Sequence, residues 1–172
     1  MIKRNKNYGF SLIEVLIACA IISMVIFAFI STATKNIKIS AQSLKQTQAN
    51  MLLEEGVEAV KSVRDDGWSN ISGLTLNTNY YLFFNNSTNK WILSTNSSLG
   101  GGYIPVYPID SIFTRSVRFE EVERDSTTDD ISNSGSTYID SGTKKVSVTV
   151  SFNSSGEEIS RSVDFYVANI FE

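Results

Sequence analysis

Histidine is absent from this chain, cysteine occurs once and proline twice. Without histidine the chain lacks the commonest general base and the commonest side-chain ligand for transition metals. A lone cysteine, Cys19, excludes an intramolecular disulfide, so a folded domain must be held by packing and hydrogen bonds. Cys19 lies in an apolar stretch, where a thiol behaves as a small hydrophobe. Both prolines, Pro105 and Pro108, fall in the second half, so nothing in the first hundred residues forces a helix to stop. Basic charge is sparse: 15 Lys and Arg stand against 18 Asp and Glu, a net charge of −3. No concentrated basic patch is present, so no nucleic-acid partner is expected. With no phosphate loop and no nucleophile beside a base, neither an enzyme nor a cofactor is expected.

What the chain does have is an apolar run over residues 10–30, interrupted by one charge, Glu14. About 20 apolar residues in a helix match a bilayer core about 30 Å thick. A carboxylate inside such a run is costly, on the order of 3 kcal/mol at the bilayer centre and less near its edge. Residues 1–9 form a leader with Lys3, Arg4 and Lys6, which orients the run with its N-terminal side cytoplasmic and the remainder outside. An ordinary secretory signal is cut after its apolar segment. No small-x-small site followed by a polar start stands after Ile30, the nearest approach being Ser31-Thr32-Ala33. Gly9, on the amino side, is the small residue at the boundary. A cut there retains the apolar helix, frees Phe10 as a new amino terminus and takes the net charge from −3 to −6.

The order Gly9-Phe10-Ser11-Leu12-Ile13-Glu14 after a basic leader resembles the cleavage and assembly signal of the type IV pilin superfamily. That superfamily includes type IV pilins, type II secretion pseudopilins and competence pilins. The resemblance implies cleavage between Gly9 and Phe10 by a prepilin peptidase and methylation of the Phe10 amine. It implies assembly with other pilin subunits through Glu14 and Phe10, on a pilus assembly platform, from a lipid bilayer that holds the subunit beforehand. Glu14 has two physical accounts. As part of Ser11-Leu12-Ile13-Glu14 it completes a capping box, stabilising the helix start by around 1 kcal/mol. As an intramembrane carboxylate it awaits a cation, and the new ammonium of Phe10 is the obvious one. At about 4 Å and an effective dielectric near 20, that pair is worth roughly 4 kcal/mol before desolvation. Desolvation removes much of this, so the pair selects register more than it adds strength. The two accounts are compatible.

Beyond residue 30 the pattern turns amphipathic without a break. Ala33, Ile37, Ala41, Leu44, Met51, Leu52, Ala59, Val60 and Val63 recur at spacings of three and four, with Gln48 interrupting. One helix from about residue 10 to 66 is expected, near 85 Å long at 1.5 Å per residue, with Lys61 and Arg64 in its last turn and Gly67 ending it. The acidic group Glu54, Glu55, Glu58, Asp65 and Asp66 is read as a solvated face.

From Leu74 the period changes to two. Residues 80–84 and 90–93 flank Asn85-Asn86-Ser87-Thr88-Asn89, a hairpin signal. Further strands are expected over 113–122, with Val117 and Phe119 on one face, and over 145–152, where valines alternate with Ser and Thr. A last strand over 159–167 is expected to point Val163, Phe165 and Val167 inward. Residues 125–142 are expected as a polar surface loop. Asp129, Asp130 and Asp140 supply carboxylates there, but the EF-hand spacing is absent and no metal is assigned.

The fold class is therefore α+β: a leader (1–9), a transmembrane or filament-core helix (10–30), its amphipathic continuation (31–66) and an antiparallel sheet head (67–172). The function expected is that of a structural subunit, a minor pilin or prepilin. It is placed in the cytoplasmic membrane as a single-pass protein and at the cell surface after assembly. The rivals are a type II secretion pseudopilin and a single-pass anchored adhesin that does not polymerise.

The leader argument makes a direct prediction. Intact-mass analysis of membrane fractions should show loss of residues 1–9 and one added methyl group. Gly9→Val should leave the leader attached, because a branched side chain obstructs the scissile position; a mature start after residue 30 would refute the assignment.

Overall fold

The computed structural model describes residues 11–105, 107–132, 134–154 and 156–170. Helix α1 spans Leu12–Asp65, and a one-turn helix α2 follows at Ser69–Ser72. The strands are β1 (Asn79–Asn85), β2 (Lys90–Ser94), β3 (Tyr103–Ile104), β4 (Phe113–Asp125), β5 (Thr137–Ser154) and β6 (Glu157–Ala168). All pairings are antiparallel, in the order β2-β1-β4-β5-β6, with the short β3 paired to β1. A long apolar helix and a C-terminal antiparallel sheet make the fold α+β, as the two periodicities lead one to expect. The chain divides into two compact units, residues 1–44 and 45–172.

Within the first unit, the apolar residues of α1 are exposed. Leu12, Phe27 and Phe29 are 79%, 77% and 74% exposed, and Ile37 and Leu44 are exposed too. Serine and threonine in and just after this segment return their hydroxyls to the helix backbone. Ser23 donates to the Cys19 carbonyl (2.7 Å), Thr32 to Ala28 (3.0 Å) and Thr34 to Ile30 (2.6 Å). Each hydroxyl is thereby satisfied without water.

In the second unit α1 buries Ala49, Leu53, Gly56, Ala59, Val60 and Val63. This corrects the expected stripe. Ala59, Val60 and Val63 are buried and Leu52 partly so, but Met51 is 62% exposed. The true stripe runs 49, 53, 56, 60 and 63, and Gly56 is its centre. A Cβ built on Gly56 would lie 2.7 Å from Val148 Cγ1 and 3.0 Å from Arg115 Cδ. Glycine is what lets the helix backbone approach the sheet this closely. Beneath it lie Val117 and Phe119 of β4 and Val146, Val148, Val150 and Phe152 of β5, all buried.

The hairpin turn at 86–89 is closed by Asn85, whose Oδ1 accepts from the amides of Ser87 (2.9 Å) and Thr88 (3.3 Å). Gly67 ends the helix region at φ 142°, and its amide bonds the Arg64 carbonyl (2.9 Å). Two strand expectations need correction. The polar stretch 125–142 is not all loop: β4 runs to Asp125 and β5 starts at Thr137, with a register shift at Glu121/Val122 that lets the ladder continue. In β6, Val167 is buried and Phe165 half-buried, but Val163 is 41% exposed. β6 is an edge strand, and Val163 borders an open groove with Leu53 and Val57 of α1, where its cover is incomplete.

Gly56 allows a test in which the usual sign reverses. Gly→Ala inside a helix ordinarily stabilises by up to about 1 kcal/mol. Here the new methyl must displace fully buried Val148, and overpacking of this kind costs roughly 1–3 kcal/mol. Thermal unfolding of residues 31–172 should therefore show Gly56→Ala lowering Tm by a few degrees, at about 4 °C per kcal/mol. A rise in Tm would refute the close approach.

Candidate functional site

Two of the three residues singled out by the sequence, Gly9 and Phe10, lie outside the described residues. The third, Glu14, is in the first turn of α1 and exposed. Its amide bonds the Ser11 carbonyl (3.0 Å), as does the amide of Val15 (3.2 Å). No hydrogen bond joins the Ser11 hydroxyl to Glu14 among the described residues, so the capping-box geometry is not formed there. The carboxylate likewise has no ion-pair partner among them. Around it Leu12, Ile13, Val15, Leu16 and Ile17 are exposed, so among the described residues the carboxylate sits on an apolar surface. Such an arrangement is unfavourable in lipid unless a cation arrives.

The acidic group at the far end of α1 is divided among partners. Glu58 pairs with Lys61 (2.7 Å), Asp65 with Arg64 (2.8 Å) and Asp66 with Lys90 (3.0 Å), all at partly exposed positions. Pairs of that kind contribute little, about 0–1 kcal/mol. Glu55 differs, because it reaches Arg115, a guanidinium with no exposed surface at all. Arg115 Nη1 lies 3.1 Å from Glu55 Oε2 and donates to the Leu52 carbonyl (3.2 Å). Its Cζ sits 5.5 Å from the centre of the Trp91 ring, a cation–π contact. Among the described residues Nε and Nη2 have no hydrogen-bond partner. Nearby, Tyr107 donates to the Leu82 carbonyl (3.0 Å) and stacks edge-on to Tyr81 and Phe83. Burial pushes the Tyr107 phenol up, and the Arg115 charge pulls it part of the way back.

Arg115 was not among the residues the sequence singled out. One signal pointed to it: Phe113, Arg115, Val117 and Phe119 share the parity of β4's inner face, so a cation in that series is an inward cation.

The third cluster surrounds the β4–β5 connection. Arg124 Nε bonds Asp140 (2.6 Å), Nη1 donates to the Asp129 carbonyl (2.8 Å) and Nη2 reaches Thr143 Oγ1 (3.5 Å). The Asp129 carboxylate accepts from the Tyr138 hydroxyl, which raises the Tyr138 pKa. Asp125 accepts from the amides of Thr127 (2.7 Å) and Thr128 (3.0 Å). The cation inside this loop is therefore Arg124. Its hydrogen bond holds the Asp140 carboxyl below the usual range, and the two amides do the same for Asp125. Among the described residues no three Asp, Glu or Cys side chains come together as a metal site.

Residues 4–33 match the family model of the prokaryotic N-terminal methylation motif, the signal of type IV pilins and pseudopilins. Comparison with curated proteins and with solved structures gave no match. The likeness is thus confined to the segment that holds Gly9, Phe10 and Glu14.

The loop cluster sets an acid limit. Carboxyls whose folded pKa is depressed add stability above their ordinary value, near 4, and lose it as pH falls through the folded value. Protection of the Thr127, Thr128 and Gly142 amides against hydrogen exchange should therefore decline below about pH 4, since Gly142 also donates to Asp140 (2.8 Å). Amides of the Val146–Val150 core should hold at the same pH. Equal loss in both regions would show that the carboxylates are not what orders the loop.

Proposed function

We propose that this chain, which carries the type IV pilin and pseudopilin signal over residues 4–33, is a structural subunit of a type IV pilus-like filament. In this reading a prepilin peptidase cuts between Gly9 and Phe10, and the new Phe10 amine is methylated. The subunit waits in the cytoplasmic membrane as a single-pass protein with its N-terminus inside and its sheet head outside. An assembly platform then transfers it into a filament of pilin subunits. Its part in chemistry is that of a substrate and a building block.

One observation carries the reading. An 18-residue window of α1 is apolar enough to cross a bilayer and none of it is buried, yet its first turn holds Glu14. Apolar side chains at that density leave water by entering lipid or by packing against other helices. A carboxylate tolerates either place only with a cation beside it. Cleavage at Gly9 creates one, four residues away in the same chain and at the same depth in a neighbour. The lipid-held subunit and the assembled subunit are then two solutions to one solvation problem, and Glu14 makes the second selective for register.

Glu14→Gln separates charge from shape. Glutamine keeps the length and the hydrogen-bonding capacity, and it removes the intramembrane charge, so membrane insertion should be undiminished. It does not attract the Phe10 ammonium. Processed protein should therefore accumulate in membranes and be depleted from sheared filaments, compared with wild type at matched expression. Equal incorporation would refute the electrostatic role, and absence of the variant from membranes would refute the insertion argument.

A further inference from the structure

Two exposed faces of α1 carry opposite charge. The first borders a groove of about 520 Å³ between the flank of the helix and β6. Leu53 and Val57 of α1 and Val163 of β6 make it apolar, and Glu54 and Glu58 stand at its rim. Val163 is 41% exposed there. Glu58 shares an exposed pair with Lys61, and Glu54 has no partner among the described residues.

The second face lies nearer the N-terminus. From residue 15 to residue 53 the only charges are Lys35, Lys38 and Lys45. Lys45 donates to the Asn153 carbonyl (3.4 Å). Lys35 and Lys38 are exposed and have no partner among the described residues. Beside them Ile39 is 64% exposed, past the end of the apolar run that lipid would cover.

The two faces match in register. At about 100° per residue, Lys38, Lys35 and Ile39 follow one another round the helix within about 100°. Glu58, Glu54 and Val57 span the same arc of about 100° in the opposite rotational sense. Opposite senses are what two parallel helices present to each other across a contact. A second helix laid parallel to α1 in the groove therefore sets Lys38 against Glu58, Lys35 against Glu54, and Ile39 against Val57 and Val163. All three pairs need one stagger, about 19 residues or about 29 Å along the axis. Parallel is also the orientation that anchoring in one membrane requires.

We propose that residues 35–39 of a second copy of this chain fill the groove. A helix cannot pack against itself, so the occupant comes from another molecule, and this chain's own charges complement its own groove. The inference rests on the filament reading and adds to it which surfaces meet. The basic face and the acidic groove are different patches, so each copy keeps one of them free and the contact propagates without closing. Exposed ion pairs contribute little strength. The lysines thus select the stagger, while Ile39 and Val163 supply the burial.

The test uses the full chain with Cys19→Ser, carrying Lys35→Cys and Glu54→Cys, in membrane and sheared-filament fractions after mild oxidation. Both positions are exposed. Non-reducing gels should show a ladder of dimers and higher steps that dithiothreitol collapses. Asn36→Cys with Glu54→Cys should give no ladder, because residue 36 is turned about 100° from residue 35. In the chain without added cysteines, Glu54→Lys should be depleted from filaments, and Lys35→Glu combined with Glu54→Lys should restore it. A structural role of Glu54 alone would not allow that rescue, and failure to rescue overturns the charge pairing. If the wild-type chain enters filaments while positions 35 and 54 crosslink no more than 36 and 54, the interface is wrong and the filament reading stands. If the wild-type chain never enters filaments, that reading fails, and the interface stands or falls on the ladder in membranes. A disulfide to a different protein, identified by mass, overturns the choice of a second copy.

Discussion

Apolar side chains on α1 must leave water, and this one helix does so in two different ways. From Ala49 to Val63 they are covered by the chain's own sheet, at positions three and four apart. From Leu12 to Ile30 the described residues offer them no cover, and they are exposed on all sides of the helix. The rest of the structure follows from that division. A stripe suffices where one face meets a sheet, whereas an all-round apolar surface needs an all-round apolar environment. Polar groups are placed accordingly: hydroxyls in the uncovered part turn back onto the helix, while lysines and glutamates cluster where water is available.

Within the head the tightest constraint is the contact among Gly56, Val148 and Arg115. The helix comes close enough to the sheet that a methyl group would not fit, and at that crossing the sheet presents a charged side chain. Desolvating a guanidinium is expensive, and a single partly exposed carboxylate recovers only part of it. An apolar residue of similar size would pack there more cheaply. The arginine does fix position: its bond to the Leu52 carbonyl and its contact with Trp91 tie α1 and the β1–β2 hairpin to β4 at one point. Since the only cysteine, Cys19, lies outside the head, this tie and the valine core do what a disulfide does elsewhere.

Much of this was legible in the sequence because period is a strong signal. The last positions of the three-and-four spacing, with Arg64 and Gly67 after them, placed the end of the helix within a residue, and the alternation in 145–152 identified its buried valines. The failures have physical reasons. Met51 is apolar but stands about 200° round the helix from Ala49, on the face turned away from the sheet. Val163 has the right character and parity, but burial also requires something opposite, and parity along one element carries no information about how far a neighbour extends. Residues 137–142 looked like loop because Tyr138, Asp140 and Gly142 sit in a polar run, and only pairing with β4 makes them strand. Gly56 was passed over because glycine carries no hydropathy signal, although its lack of a side chain is what the site uses. Arg115 was missed for the opposite reason: charge suggests exposure, and the phase of β4 overrides it. At the N-terminus the local order of residues was enough to recognise the methylation signal, because that signal is read along the chain and needs no tertiary contact.

The Arg124 cluster also has a bearing on how the head tolerates its surroundings. A loop organised by a dissociable ion is ordered only as far as that ion's free concentration allows, and dilution or chelation empties it. A guanidinium tethered one residue from the loop, on β4, has an effective concentration set by the chain itself. Nothing outside the molecule has to supply it. The order around Asp129 and Asp140 is thus set by the chain itself and not by the mineral content of the medium.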